Sequence, residues 1–296
     1  MFVVLRGVTK TGLVLGAGGA TAWVFHTAVL RTLRDETGVD PLDADLIVGT
    51  SAGASLAAAL RAGIGLEDFY RMATRPPTDD QRRAMLAELK AARKSLVPLS
   101  AGMVRHMFPG GDGATLALAG ILPPGLFPTG WLAELPGMGS FDGWPEGLWV
   151  PAVRVPDGEV VVFGRDRRDV PVPVAVEASS AVPGMFRPCQ IGDETFVDGG
   201  VTSSTHADLL LSEGVERAIV SAPMSRPSGG LFSRNARRQL AAELESLRAG
   251  GVEVLAVQPS SEISNLARGY PRRRPEAAID IAGHAAAVTR LAVLAS

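Results

Sequence analysis

The stretch DLIVGTSAGASLAAALRAG, residues 45–63, decides the fold. Asp45 to Val48 is a short apolar run that reads as a strand. Ala52 to Ala62 is rich in Ala and Leu, reads as a buried helix and is closed by Gly63. Between them stands Gly49-Thr50-Ser51-Ala52-Gly53, a G-x-S-x-G pattern in the strand-turn-helix setting that a nucleophile elbow requires. A serine on so sharp a turn takes a strained backbone. Only glycine at 49 and 53 lets the neighbouring chains pass. The helix start then places its dipole and free N–H groups beside the serine oxygen.

Upstream, Gly12 to Leu15 reads as another strand and Ala20 to Glu36 as a helix stopped by Gly38. Gly16-Ala17-Gly18-Gly19-Ala20-Thr21 joins them. A dinucleotide loop wants glycine where Thr21 stands, and the next strand opens rather than closes on an acid, Asp45. The alternative is an oxyanion hole built from successive glycine N–H groups at a helix start. Two such turns on neighbouring parallel strands lie side by side, one supplying a nucleophile and the other the donors.

Downstream, Leu66–Thr74 and Asp79–Lys94 read as helices. Leu96 to Pro136 mixes Gly and Pro with apolar residues, among them Met103, Phe108, Phe127 and Trp131, and reads as an apolar cap or groove wall, or as irregular core. Leu148–Val155 and Val160–Phe163 flank a hairpin signal at Pro156-Asp157-Gly158-Glu159. Thr195–Val197 is a short strand, Ser203–Ser212 a helix, Arg217–Ser221 a strand, Phe232–Arg248 a charged helix and Val252–Val257 a strand. Pro275–Leu294 is a last amphipathic helix. The alternation predicts an α/β fold: a mainly parallel central sheet flanked by helices. No linker divides the chain, so one domain over 1–296 is expected, with its motif-bearing core at about 11–260 and the cap at about 96–136.

Composition narrows the function. With 29 basic and 31 acidic residues in 296, the net charge of −2 gives no field for nucleic acid. One cysteine, Cys189, excludes an internal disulfide and a Cys₄ zinc site, and no histidine pair has metal-ligand spacing. The N-terminal residues lack a signal-peptide plan, and no apolar run is long enough to span a membrane. A cytoplasmic protein is expected, with transient contact at a membrane surface as an option. Arg272-Arg273-Arg274 reads as a solvated turn or as a contact to anionic lipid.

A third motif is Phe196-Val197-Asp198-Gly199-Gly200, a carboxylate at a strand end on a tight glycine turn. It reads either as an Asx-type turn or as a base or orienter for Ser51. Ser51, Asp198 and His284 stand in the chain order of an α/β-hydrolase triad, but too few strands precede the elbow and His284 lies in an Ala-rich helix.

Together, Gly16-x-Gly18-Gly19, GTSAG at 49–53, Ala178-Ser179-Ser180-Ala181-Val182-Pro183 and Asp198-Gly199-Gly200 resemble the patatin-like phospholipase family. The resemblance implies a Ser–Asp dyad without histidine, cleaving lipid or fatty-acyl esters through an acyl-serine. Ser51 would be the nucleophile and Asp198 its base. Gly18 and Gly19, with Ala17, would form the oxyanion hole. No metal or organic cofactor is implied. Thr21 and Ala22 stand where the family often carries a basic residue and Gly, which removes a contact for a phosphate head group. That departure leaves an idle lipid- or partner-binding protein as the alternative, beside an esterase with a His base.

Overall fold

The computed structural model describes residues 10–38, 40–74, 83, 87, 119–155, 157–227, 230–262 and 274–295. In chain order the elements are β1 (Thr11–Leu15), α1 (Gly19–Thr37), β2 (Leu46–Gly49), α2 (Ala52–Arg61), α3 (Leu66–Thr74), β3 (Leu148–Val155), β4 (Val160–Phe163), α4 (Val172–Ser179), β5 (Cys189–Ile191), β6 (Glu194–Asp198), β7 (Arg217–Ser221), α5 (Leu231–Ala249), β8 (Glu253–Val257) and α6 (Arg274–Ala295).

All eight strands join one sheet in the order β5-β6-β3-β2-β1-β7-β8, with β4 paired to β3. The pairs from β3 across to β8 are parallel; β4, β5 and β6 run antiparallel to their neighbours. The parallel strands are uninterrupted apolar runs because both faces are covered. Leu13, Leu15, Ile47 and Ile219 point to one face and pack with Leu30 and Leu33 of α1, Leu56 and Leu60 of α2 and Phe69 of α3. Val14, Leu46, Val48, Ala218 and Val220 point to the other and meet Leu240, Leu244 and Leu247 of α5. Neighbouring residues thus divide between two cores, as the two-residue period of a strand dictates. Fully burying each of these leucines is worth roughly 1.5–3 kcal/mol. Helix α6 lies on α1, with Ile281 and Ala285 on Phe25 and Val29.

Two readings change in detail, and one helix is added. Val172–Ser179, to which the sequence analysis assigned no element, is helical. Pro171 caps the helix and Pro173 sits in its first turn, where a missing N–H is harmless. Residues 203–206 are not helical as expected; only a 3₁₀ segment, Ala207–Glu213, forms. Hydrogen bonds from Ser203 and Thr205 to a buried carboxylate, described below, draw that stretch away. Strand β6 is longer than Thr195–Val197 and pairs with β5, which the sequence did not announce. Of the apolar cap segment, residues 119–136 are described: Phe127 bridges to Phe186, and Gly130–Glu134 forms a 3₁₀ turn. Its earlier part, most of the expected helix at 79–94 and Arg272 and Arg273 fall outside the described residues. Among those described, no helix is long and apolar enough to cross a membrane.

Candidate active site

The register of the sheet builds the site. Gly49 ends β2 beside Leu15, the last residue of β1, and Ile47 and Val48 lie beside Leu148 and Trp149 of β3. Continued along β3, that register carries Ser51 to the level of Ala152. Strand β6 comes back antiparallel on β3 and pairs Asp198 with the same Ala152. Two residues 147 positions apart in sequence are therefore delivered to one height at the carboxyl ends of the parallel strands, where open α/β sheets place their sites.

Ser51 has φ 57° and ψ −119°. A non-glycine residue there stores about 1–3 kcal/mol of strain and persists only if its surroundings hold it. Three contacts do so. The Ser51 N–H donates to Ser179 Oγ at 3.0 Å, Ser179 Oγ–H donates to the Pro151 carbonyl at 2.7 Å, and the Ser51 carbonyl accepts from Ala54 at 2.9 Å. The glycines at 49 and 53 are steric necessities. A Cβ on Gly53 would lie 1.9 Å from the Leu15 carbonyl oxygen, and one on Gly49 2.6 Å from that of Gly53.

Asp198 is buried and its carboxylate is set against the Ser51 hydroxyl, which favours the charged form. It also accepts the Gly200 N–H at 2.7 Å, while its own N–H donates to the Ala181 carbonyl at 3.1 Å. Burial lifts its pKa to about 6, against the lowering effect of the Ser51 hydroxyl and the Gly200 N–H. A base poised there is mostly ionised at neutral pH and still able to take a proton.

The segment Ala178–Pro183 thus holds both groups, Ser51 through the Ser179 hydroxyl and Asp198 through the Ala181 carbonyl. This role was invisible in the sequence, where the segment was only part of a family pattern. Replacing Ser179 by Ala leaves the Ser51 N–H and Pro151 carbonyl unpaired in a buried place, a loss of about 1–3 kcal/mol for such groups. Chemical denaturation should show that loss, together with slowed turnover. Ser180→Ala is the control: its hydroxyl is buried without a hydrogen-bond partner among the described residues, so stability should hold or rise.

The glycine loop after β1 meets the elbow directly, since Thr50 N–H donates to the Leu15 carbonyl at 3.0 Å. Within the loop the three candidate donors differ. Ala17 directs its N–H to the Ser204 carbonyl at 2.8 Å and is thereby withdrawn from the oxyanion set, correcting the sequence reading. The N–H groups of Gly18 and Gly19 meet no acceptor among the described residues, as the uncapped start of α1 leaves them. Gly19 has φ 64°, open to glycine at little cost.

Two buried histidines are structural. His26 lies between the Ser221 hydroxyl at 2.7 Å and the Gly16 carbonyl at 2.8 Å, which ties the glycine loop to β7. Burial holds its pKa down at about 4, so it stays neutral, donating from Nε2 to Gly16. His206, at φ 53°, joins Thr50 Oγ1 to Thr202 Oγ1, which in turn donates to the Gly199 carbonyl. Its pKa is likewise lowered by burial, to about 3. A chain of hydrogen bonds thus links the neighbour of Ser51 to the neighbour of Asp198. Glu243 of α5 is the buried carboxylate that shapes this loop, accepting from the Ser203 and Thr205 hydroxyls and from the Ala207 N–H at 3.0 Å. His284 is elsewhere, on α6, with Nδ1 3.0 Å from a Glu262 carboxylate oxygen. The triad order Ser51, Asp198, His284 is therefore not a triad in space: the Asp198 carboxylate faces Ser51 itself, and His284 pairs with Glu262. Among the described residues no group of three or more His, Cys, Asp and Glu is placed to hold a metal ion.

Fold and site define an α/β protein that carries a serine on a strand-to-helix elbow. Its family is narrower. The patatin-like phospholipase model matches residues 13–211, and the chain belongs to that family of lipid hydrolases. No curated protein matches it in sequence. Among solved structures, VipD from Legionella pneumophila is similar at 15% identity and a TM-score of 0.45, over 96% of this chain and 67% of that one. The type III effector protein ExoU is similar at 15% identity and a TM-score of 0.46, over 97% of this chain and 54% of that one. The chain thus spans about half of ExoU and two thirds of VipD.

Proposed function

We propose that the protein is a serine acyl hydrolase that cleaves lipid or fatty-acyl esters with a Ser51–Asp198 dyad. One observation carries the reading: a strained elbow serine set against a buried carboxylate, beside two backbone N–H groups that meet no acceptor among the described residues. Ser51 Oγ attacks the ester carbonyl carbon as its proton passes to Asp198. The carbonyl oxygen becomes an oxyanion held by Gly18 and Gly19 N–H. As the tetrahedral intermediate collapses, the carbon–oxygen bond to the alcohol breaks and Asp198 returns the proton to the departing oxygen. Water then attacks the acyl carbonyl carbon as Asp198 takes its proton; the second tetrahedral intermediate collapses, the bond from carbon to Ser51 Oγ breaks, Asp198 returns the proton to Oγ, and the acyl group leaves as a carboxylic acid. Backbone donors make the oxyanion site indifferent to the residues at 21 and 22, so the altered glycine loop leaves ester cleavage intact.

The test is a fluorophosphonate probe followed by peptide mapping, with a panel of acyl esters run in parallel. A single adduct on Ser51 and release of fatty acid are expected. Folded protein that takes no adduct and cleaves no ester would place it among idle members of the fold.

A further inference from the structure

Residues 203–207 touch the site from two sides. The Ser204 carbonyl takes the Ala17 N–H at 2.8 Å. Ala17 directly precedes the two donors of the glycine loop, Gly18 and Gly19, which have no side chains to fix their own orientation. His206 lies between Thr50, the neighbour of Ser51, and Thr202. The segment has no regular structure to hold it, and His206 stands at φ 53°, a conformation few side chains adopt unaided.

Ser203 and Glu243 supply the hold. Ser203 Oγ accepts the N–H groups of Thr205 at 3.1 Å and His206 at 3.0 Å, and donates its proton to Glu243. Both lone pairs and the one proton of that hydroxyl are spent. The Glu243 carboxylate also accepts the Thr205 hydroxyl and the Ala207 N–H. Three donors face it, on both of its oxygens. A carboxylate satisfies all three; an amide would turn an NH₂ toward a donor with nothing left to accept it. Gln239, one turn earlier on α5, holds the Thr202 carbonyl, so one stripe of the helix grips the whole segment.

The charge is costly where it stands. Glu243 is 8% exposed, and no cation pairs with it among the described residues. A buried carboxylate without a counter-ion opposes folding unless hydrogen bonds offset it. Leu240, Leu244 and Leu247 already pack α5 on the sheet. What Glu243 adds is direction, which an apolar side chain cannot give.

We propose that Glu243 is a positioning residue for ester cleavage. From a helix on the sheet face opposite α1 and α2, it sets residues 203–207 and, through the Ser204 carbonyl on Ala17, aims the Gly18 and Gly19 N–H groups at the oxyanion. The proposal rests on the hydrolase reading above.

The experiment compares the native protein with Glu243→Gln, Thr205→Val and Leu247→Ala. Thr205→Val removes one hydroxyl at nearly constant shape. Leu247→Ala weakens the packing of the same helix and removes no side-chain hydrogen bond. Melting temperature, hydrolysis of p-nitrophenyl butyrate and the rate of fluorophosphonate labelling are measured well below the melting range. Glu243→Gln is expected to lower kcat about 10-fold to 100-fold with KM within about twofold, the effect of donors displaced by about an ångström. Labelling should slow in step, because the phosphonyl oxygen uses the same two donors. Thr205→Val should lose kcat severalfold, and it carries the test if Glu243→Gln does not fold. Leu247→Ala should melt lower and keep native kcat. Native kcat in the loop variants overturns the proposal, as does an effect confined to KM. An equal loss of kcat in Leu247→Ala also overturns it and makes Glu243 structural only. Amide exchange reads the link without substrate. Exchange at Ala17, relative to Val14 within β1, should quicken about tenfold or more in the loop variants and not in Leu247→Ala; an unchanged ratio overturns the proposal. If the native protein neither cleaves nor labels, the hydrolase reading fails, and the Ala17 ratio alone decides whether Glu243 sets the glycine loop.

Discussion

Asp198→Asn slows ester turnover on the order of 10³-fold to 10⁴-fold, the upper range for loss of a general base. The amide keeps the shape of the site. Its oxygen still accepts the Gly200 N–H, and its NH₂ can donate to Ser51 Oγ. What it cannot do is accept the serine proton. In the native protein kcat/KM should rise about tenfold per pH unit on the acid side of about 6 and flatten above it, because the carboxylate form is the active one. The variant should show a flat residual rate. Stability moves the other way. The Asp198 pKa is higher folded than unfolded, so the native state binds the proton more tightly. Its stability contribution is therefore unimpaired below about pH 4, falls between about 4 and 6, and stays reduced above. The neutral amide of the variant has no such loss. Thermal melts should find the variant and native protein alike near pH 4, and the variant higher by a few degrees at pH 7 to 8. A variant that keeps a tenth of native activity would remove Asp198 from the mechanism. One that melts lower at every pH would make its role structural.

Much of this was legible in residues 11–63, because the chemistry there is local. Parallel strands buried on both faces must be unbroken apolar runs, as LVL at 13–15 and LIV at 46–48 are. An elbow serine needs glycine at fixed offsets. The rest depended on contacts across long sequence distances. Ser179 reads only as one residue of a family pattern until β3 brings Pro151 to it and β2 brings Ser51. Glu243 reads as one more charge on an exposed helix, yet it is buried under the loop it organises. That single placement is why 203–206 is not helical, although its composition permits a helix. The misreading of Ala17 has the same origin. A glycine-rich loop advertises free N–H groups, but which of them is free depends on Ser204, nearly 190 residues away.

Gly53→Ala has the largest expected effect on the fold itself. The added methyl would sit 1.9 Å from the Leu15 carbonyl oxygen, 2.5 Å from its carbon and 3.0 Å from the Gly16 oxygen. All three are backbone atoms of the last residue of β1 and the turn that follows it, so no rotamer change relieves the clash. Helix α2 must lift by more than an ångström. The Thr50 to Leu15 hydrogen bond then breaks, and the two strand-to-helix turns that frame Ser51 separate. Overpacking that only backbone displacement can relieve belongs to the upper tail of single substitutions, on the order of 4 kcal/mol. For a chain of this size that is roughly 10 °C in melting temperature. Gly63→Ala supplies the comparison. Its φ is +77° with nothing within 4 Å of the new Cβ, so only backbone strain of about 1–2 kcal/mol is at stake. Where both variants are still folded, at low temperature, Gly63→Ala should label with a fluorophosphonate at the native rate and Gly53→Ala should not. If Gly53→Ala melts beside Gly63→Ala and labels normally, α2 has room to move. The close contact of the two turns would then not be what fixes the nucleophile against its oxyanion donors.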